Sequence, residues 1–465
     1  MVTLTLGGRT WRVKDAFFRV MEIGVDRGGL LAMLVAMKIL VIGGGGREHA
    51  LAWKLARERS RPEVFCAPGN AGTAGVAQNV DIGAEDLPGL LEWARRYGPE
   101  LTVVGPEVPL CNGLADRFAA EGLPVFGPGA EAAAIEGSKV FAKEVMRAAG
   151  VPTAACAVFE DADEARAYVR AQRLPLVVKA EGLAAGKGVL ICGSVREAEE
   201  AIQKTLVGEA FGEAGRRIVV EEHLEGEEAS ILALVDGEHV VMLASSQDHK
   251  RCLDGDRGLN TGGMGAYSPA PVVRDGLWPE IRERVFQPTL GELKRRGVTY
   301  KGVLYAGLMI GEKGIRVLEF NCRFGDPETQ VVLPRIDGDL LPALRACVRG
   351  ELDEDMIRWR AEPCVTVVMA SGGYPEAYDK GNPIEGLEAA AALEDVVVFH
   401  AGTRREGDHI VTSGGRVLNV TALGSDLPGA VRRAYEAVER IRFEKAHYRT
   451  DIAARALARG GDDGN

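Results

Sequence analysis

Met37-Lys38-Ile39-Leu40-Val41-Ile42-Gly43-Gly44-Gly45-Gly46-Arg47-Glu48-His49 reads as a strand that runs through a glycine turn into a helix. The apolar run Ile39–Ile42 shows no polar alternation, the pattern of a strand covered on both faces. The same rhythm continues to about Gly137. Val64–Ala67, Leu101–Val104 and Pro124–Phe126 read as strands, and Glu48–Arg59, Leu87–Tyr97 and Asn112–Glu121 as helices. Buried strands alternating with helices predict an N-terminal α/β domain built on a parallel sheet.

Upstream, residues 1–36 look foreign to this pattern. Met37-Lys38 resembles a natural chain start, so 1–36 reads as an N-terminal extension outside the fold, such as a misassigned start codon would add. Its apolar stretch comes too late for a secretory signal. No apolar run reaches the ~18–20 residues of a membrane span.

Downstream the character changes. Ser138 is a good N-cap for a helix over Lys139–Ala149, which Gly150 ends and Pro152 blocks. Leu176–Ala180 and Arg217–Glu222 read as strands. Ser230–Val235 with His239–Ser245, and Val303–Ile310 with Ile315–Phe320, read as hairpins. Hairpins imply antiparallel sheet, so this is an α+β domain. From about Pro363, short strands at Val365–Ala370, Val396–Ala401, Ile410–Thr412 and Arg416–Thr421 precede a helix over Leu427–Arg440. Ser413-Gly414-Gly415 reads as a turn. The expected division is 37–138, 139–345 (with a flexible lid at about 155–225) and 346–455, then a frayed tail at 456–465.

The charge balance is 56 basic against 67 acidic residues, net −11. A nucleic-acid binder carries a basic footprint, so no such partner is expected, and any anion must be met by local positive charge. The eight cysteines are scattered without a Cys-x-x-Cys. They read as reduced thiols of a cytoplasmic protein rather than a zinc site or a disulfide framework.

The glycine loop at 43–46 fails the dinucleotide spacing: the third glycine would fall on Glu48 or His49. A glycine turn at a helix N-terminus still suits an anion, and Arg47 favours a phosphate monoester over a plain packing turn. The second glycine loop, Gly182-Leu183-Ala184-Ala185-Gly186-Lys187-Gly188, fails the Walker A test, because 181 is Glu and 188 is Gly. It reads as a flap carrying lysines that can fold over a polyphosphate, or as a mobile surface hairpin. On Val317-Leu318-Glu319-Phe320-Asn321, Glu319 and Asn321 share one strand face. Two hard oxygen donors suit Mg²⁺, and Arg323 follows as a planar fork for carboxylate or phosphate. Glu221 and Glu222 end a buried strand and Glu225, Glu227 and Glu228 follow; some of these acids read as solvated surface, while one or two at the strand end can meet an adenine amino group and a ribose hydroxyl. Gln247–Arg251 and Asn260–Gly265 look like ligand loops, with His249 read as structural rather than as a base.

Together these segments resemble the ATP-grasp superfamily and, within it, the phosphoribosylamine–glycine ligase (glycinamide ribonucleotide synthetase) family. The resemblance runs from Met37 to about residue 455. It rests on Gly-Gly-Arg-Glu-His at 45–49, Pro-Gly-Asn-Ala-Gly-Thr at 68–73, Val-Gly-Pro-Glu at 104–107 and Gly-Leu-Ala-Ala-Gly-Lys-Gly at 182–188. It continues with Ser-Gln-Asp-His-Lys at 246–250, Asn-Thr-Gly-Gly-Met-Gly-Ala-Tyr at 260–267 and Glu-Phe-Asn-Cys-Arg-Phe-Gly-Asp-Pro-Glu-Thr at 319–329.

The resemblance implies an N-terminal substrate-binding domain, a central ATP-grasp domain and a small C-terminal domain. It implies that ATP phosphorylates the carboxylate of glycine and that the amine of 5-phosphoribosylamine then displaces phosphate. Lys139 and Lys179 would hold ATP phosphates under a flap bearing Lys187. Glu221 and the Leu224 backbone would meet adenine, and Glu228 the ribose. Glu319 and Asn321 would bind Mg²⁺ or Mn²⁺. Arg323, Lys187 and Asp248 are the expected catalytic groups, with Asn260, Thr261 and Gly262 joining Arg323 and Asp248 around glycine. Gly44, Gly45, Gly46, Arg47 and Glu48 would hold the phosphoribosylamine phosphate, assisted by Asn70, Gly72, Pro106 and Glu107. A monomer acting on small molecules in the cytoplasm is expected.

Two features depart from the family: the first 36 residues have no counterpart, and Ala306-Gly307-Leu308-Met309 supplies no extra metal carboxylate. A biotin carboxylase or another ATP-grasp ligase is disfavoured by the 45–49 and 260–267 runs. A nicotinamide oxidoreductase is disfavoured by the failed glycine spacing. A non-catalytic nucleotide sensor would bind ATP without releasing ADP.

Overall fold

The computed structural model describes residues 3–6, 9–12, 37–183, 188–208 and 212–462. Thr3–Leu6 and Arg9–Arg12 pair as an antiparallel ribbon; the rest of the expected extension lies outside the described residues.

Lys38–Gly43 is the middle strand of a five-stranded parallel sheet, between Glu63–Pro68 and Leu101–Val104. Ile39 to Ile42 are fully buried, as helices on both faces require. Glycine at 43 is needed because its φ is +123°, a conformation that side-chain-bearing residues avoid. The chain then enters the helix Gly46–Leu55. The expected helix over 112–121 is instead two, Glu107–Cys111 and Leu114–Ala120. Gly113 takes a left-handed φ of +80° and breaks the run.

The central region holds two antiparallel four-stranded sheets. One orders Val189–Cys192, Leu176–Ala180, Ile218–Glu222 and Cys156–Phe159. The other orders Val240–Met242, Glu227–Val235, Gly302–Gly311 and Gly314–Asn321. Both predicted hairpins are present. The register slips between Gly307 and Leu308, so Gly307 faces Glu319 while Leu308 faces Val317. The extra residue, Leu318, lines the cleft beside Glu319.

The C-terminal sheet orders Gln247–Asp248, Gly265–Ser268, Cys364–Ala370, Arg416–Leu423 and Val396–His400. Its first two strands come from the stretch that the sequence assigned to the central domain. The loops between Asp248 and Gly265 therefore spring from the seam between the two regions. The expected frayed tail is corrected over 456–462: Ala454–Asp462 is helical, Ala456 is buried, and Arg459 pairs with Glu227, while 463–465 lie outside the described residues. An amphipathic face docked on the fold has replaced the fraying that polar composition suggested. Among the described residues no helix is long and apolar enough to cross a membrane.

Candidate active site

A cleft of about 490 Å³ opens where the three regions meet, and a recess of about 270 Å³ adjoins it. Lys179, Glu221, Asp248, Lys250, Thr261 and Glu319 line both.

The cationic wall comes from a helix and a strand. Ser138 caps the helix Lys139–Ala149 by accepting from Phe141 N at 3.0 Å, which projects Lys139 and Lys143 into the cleft. Lys139 Nζ donates to the Gly182 carbonyl at 2.9 Å, at the base of the second glycine loop. Lys179 Nζ lies 3.0 Å from Glu221 Oε2 and donates to the Leu318 carbonyl at 3.2 Å. Lys143 Nζ stands 3.2 Å from the other Glu221 oxygen. Burial lowers the proton affinity of Lys139 and Lys143, although Glu319 and Glu221 respectively work against it. Val189 pairs with Lys179, so the second glycine loop connects these two strands. Lys187 lies outside the described residues.

Glu319 faces this wall. Burial works to raise its pKa, but Lys250, Lys179, Lys139 and Arg323 together hold it below the usual range. Asn321 lies two residues on, opposite Tyr305, and both side chains line the cleft. Among the described residues no cluster of three or more His, Cys, Asp or Glu side chains forms a ready-made metal site. Two oxygen donors beside a cationic wall do fit Mg²⁺, which takes few protein ligands and shares phosphate oxygens and water.

Arg323 is held from two sides, with Nε 3.1 Å from Glu107 Oε2 and Nη2 2.6 Å from Glu136 Oε1. Glu136 also accepts from Cys322 N at 2.7 Å. Burial opposes the charge on Glu107, but Arg323 and Arg47 outweigh it and hold the carboxyl at about 2. Asp248 is 3.1 Å from Lys250 Nζ, which is 2.9 Å from Glu228 Oε2. Burial, with Glu328 and Glu228 nearby, pushes Asp248 up despite Lys250. Thr261 donates through N and Oγ1 to the Lys250 carbonyl at 2.7 and 2.8 Å, tying the two ligand loops together. Asn260 and Glu228 line the adjoining recess with the apolar Val177, Leu224 and Met309, a floor suited to a flat base.

The first glycine loop differs in detail from its sequence reading. Arg47 is 7% exposed. It donates to Glu48 Oε1 at 2.5 Å and to the Phe324 carbonyl at 3.0 Å, so it ties the N-terminal domain to the Arg323 loop. Glu48 reaches back to Gly45 N at 2.6 Å. Asn70 spends its amide on the Gly44 and His400 carbonyls at 2.9 and 2.8 Å, and its oxygen accepts from Gly72 N at 2.8 Å. A Cβ at Gly46 would meet Asn419 Nδ2 at 2.3 Å, and one at Gly72 would meet His49 and His400. Pro106 caps the helix that begins at Glu107. Gly44, Gly45 and Asn70 nevertheless line an open recess, completed from the C-terminal domain by Thr403, Ser413 and Arg416.

Arg416 is the residue the sequence reading missed. The sequence reads it as the first residue of a strand, with only the turn Ser413-Gly414-Gly415 before it as a signal. Its Nη1 donates to the Gly262 carbonyl at 2.5 Å and to the Asp326 carbonyl at 2.8 Å. Lys143, Glu136 and Lys250 were also passed over; Lys250 closes a quoted motif. His249 is buried, its pKa pushed down to about 4 by burial and by Arg449, and its Nε2 accepts from Ala453 N at 3.3 Å. That is a structural histidine, as expected.

The family models for the phosphoribosylglycinamide synthetase N domain, ATP-grasp (A) domain and C domain match residues 37–136, 137–329 and 364–455. The phosphoribosylamine–glycine ligase of Allochromatium vinosum is 54% identical over 426 residues, 91% of this chain and 99% of the relative. A crystal structure of the phosphoribosylamine–glycine ligase from Thermotoga maritima superposes with a TM-score of 0.78 at 36% identity, covering 90% of this chain and 100% of that one. The biotin carboxylase domain of the Hydrogenobacter thermophilus 2-oxoglutarate carboxylase gives a TM-score of 0.69 over 88% and 91% of the two chains, at 18% identity; that likeness is one of fold. With three domain models matched in order and half the residues shared along nearly the whole chain, this protein belongs to the phosphoribosylamine–glycine ligase family of ATP-grasp enzymes.

Proposed function

We propose that the protein joins glycine to 5-phosphoribosylamine at the expense of ATP, giving glycinamide ribonucleotide, ADP and phosphate in purine biosynthesis. One observation carries the reading: the cationic wall and the oxygen-donor pair share one cleft, and the first glycine loop's recess borders it through Asp326 and Arg416, which line both.

Lys139 and Lys179 bind the nucleotide's phosphates, and the base lies in the recess floored by Leu224 and Met309, with Glu228 at the ribose. The apo position of Glu221, between Lys143 and Lys179, supports a role in setting those lysines; its contact with adenine is secondary. Glu319 and Asn321 would hold Mg²⁺ or Mn²⁺, which neutralises phosphate charge during transfer. Asp248, the 260–262 loop and Arg323 hold glycine so that a carboxylate oxygen faces the terminal phosphorus. That oxygen takes the phosphoryl group and ADP leaves. The amine, whose phosphoribosyl group sits on the glycine loop beside Arg416, attacks the carbonyl carbon. Phosphate departs and the nitrogen loses a proton. Shielding the acyl phosphate from water is the role this reading gives to the glycine loop that carries Lys187. Eight free thiols support a reducing compartment such as the cytoplasm. A cleft completed within one chain supports a monomer as the working unit.

ADP release is the test, with phosphoribosylamine generated in situ. Full turnover should need both glycine and phosphoribosylamine together with Mg²⁺ or Mn²⁺. ADP release indifferent to glycine would overturn the reading.

A further inference from the structure

The hairpin Arg251–Leu253/Arg257–Asn260 joins none of the four larger sheets. Leu253 and Leu259 are exposed, 45% and 51%. An isolated two-stranded ribbon is marginal in water, so something else must hold this one. Its two ends matter: one leads into Asp248 and Lys250, the other into Thr261 and Gly262, and all four residues line the cleft.

The holding comes from the segment that follows the C-terminal sheet. His447 Nε2 donates to the Cys252 carbonyl at 2.7 Å, Thr450 N to Asp254 Oδ1 at 2.9 Å, and Gly255 N to Asp451 Oδ2 at 2.8 Å. At the centre is Arg449, whose side chain is 1% exposed. Its Nη1 donates to the Arg251 carbonyl at 3.2 Å and to Asp256 Oδ1 at 2.9 Å. Its Nε and Nη2 grip Asp451 at 2.7 and 2.8 Å. One buried guanidinium thus fixes the ribbon's first strand, its turn and the C-terminal segment. A planar fork with fixed donors suits three acceptors in a way that an ammonium does not. The path to the cleft is short: Arg449 binds the Arg251 carbonyl, and the adjacent Lys250 carbonyl takes both Thr261 donors.

We propose that Arg449 is a positioning residue for the glycine half of the active site, acting through the ribbon on Lys250, Thr261 and Gly262. This rests on the reading above, that Asp248 and the 260–262 loop hold glycine. The phosphate-binding Lys139 and Lys179 stand off the ribbon, whereas Arg251, Asp256 and Asn260 also border the base recess beside Leu224.

Arg449→Met tests it by steady-state kinetics, with binding of a non-hydrolysable ATP analogue measured alongside. Displacing a binding loop by about an ångström is expected to raise the glycine KM about tenfold or more, with kcat changed by less than about threefold and the analogue's Kd rising by clearly less than the glycine KM. Arg449→Lys, which keeps the charge and some donors, should recover part of the glycine affinity. If Arg449→Met does not fold, Asp254→Ala carries the test: it removes the two hydrogen bonds from Thr450 N and Oγ1, and the glycine KM should rise about threefold with little change in Tm. A folded Arg449→Met enzyme with wild-type glycine KM would overturn the proposal. So would equal losses for all three substrates that track a fall in Tm. Wild-type enzyme that ignores glycine would instead remove the underlying functional reading, so the two failures are separable.

Discussion

Glu221 and Lys179 form an ion pair inside the cleft, 3.0 Å between Oε2 and Nζ, with both side chains less than a tenth exposed. The other Glu221 oxygen faces Lys143. Removing the carboxylate would leave two cations buried and uncompensated. Glu221→Gln is expected to cost about 2–4 kcal/mol in denaturant unfolding. It should also raise the ATP KM about tenfold, because the lysines lose the group that aims them. An unfolding midpoint equal to wild type would show that the pair sets nothing.

Glu319→Gln should separate binding from turnover. Lys250, Lys179, Lys139 and Arg323 all act on this carboxylate, so neutralising it makes the cleft more positive. ATP without metal should bind as well as before or better, while metal-supported kcat falls about a hundredfold or more. The Mg²⁺ concentration for half-maximal rate should rise. Titrating metal at fixed ATP measures both effects, and an unshifted metal requirement would remove Glu319 from the metal site.

Arg416→Gln addresses the acceptor. Arg416 lines the recess shared with Gly44, Gly45 and Asn70 and braces the Gly262 and Asp326 carbonyls. If that recess holds the phosphoribosylamine phosphate, loss of a charge-assisted contact should raise the phosphoribosylamine KM by about ten- to a hundredfold. The ATP analogue's Kd should stay near wild type. An effect confined to ATP would place the phosphate elsewhere.

Asp236 gives a pH prediction. Burial works to raise its pKa, but the N–H groups of His239, Glu238 and Leu352 and the His239 ring outweigh it and hold the carboxyl at about 2, against 3.8 unperturbed. The folded pKa is the lower one. The stabilisation is therefore complete above the unfolded pKa and drains away as pH falls from about 4 to about 2. It amounts to about 2 kcal/mol. Asp236→Asn should lose about that much at pH 7 and show a flatter acid limb in unfolding titrations; an unchanged acid limb would contradict it.

Much of the fold was legible because local signals agreed with tertiary ones. Ile39–Ile42 has no polar alternation and is buried on both faces. Lys139–Ala149 has Ser138 to start it and Gly150, at φ +68°, to stop it. Leu87–Tyr97 begins with Asp86 accepting from Gly89 N at 3.0 Å. The seam was not legible. Which sheet takes Gln247–Asp248 and Gly265–Ser268 depends on strand partners about a hundred residues away, and no local pattern encodes that choice. Several candidate residues lie in the cleft region as expected but with altered work. Arg47 and Asn70 look like ligand groups in sequence, yet a buried guanidinium and a buried amide first satisfy themselves on protein carbonyls. Arg416 stayed hidden for the converse reason: an arginine at the start of a strand gives no sign of which recess it will enter.

The C-terminal contribution to the cleft has a consequence during synthesis. Arg416 and the Arg449 clamp come late in the chain, after the nucleotide half has been translated and can fold on its own schedule. A nascent polypeptide that has not yet reached residue 416 lacks a side chain that lines the cleft and ties down the Gly262 and Asp326 carbonyls, so the cavity takes its final shape only once the last third of the chain has joined it.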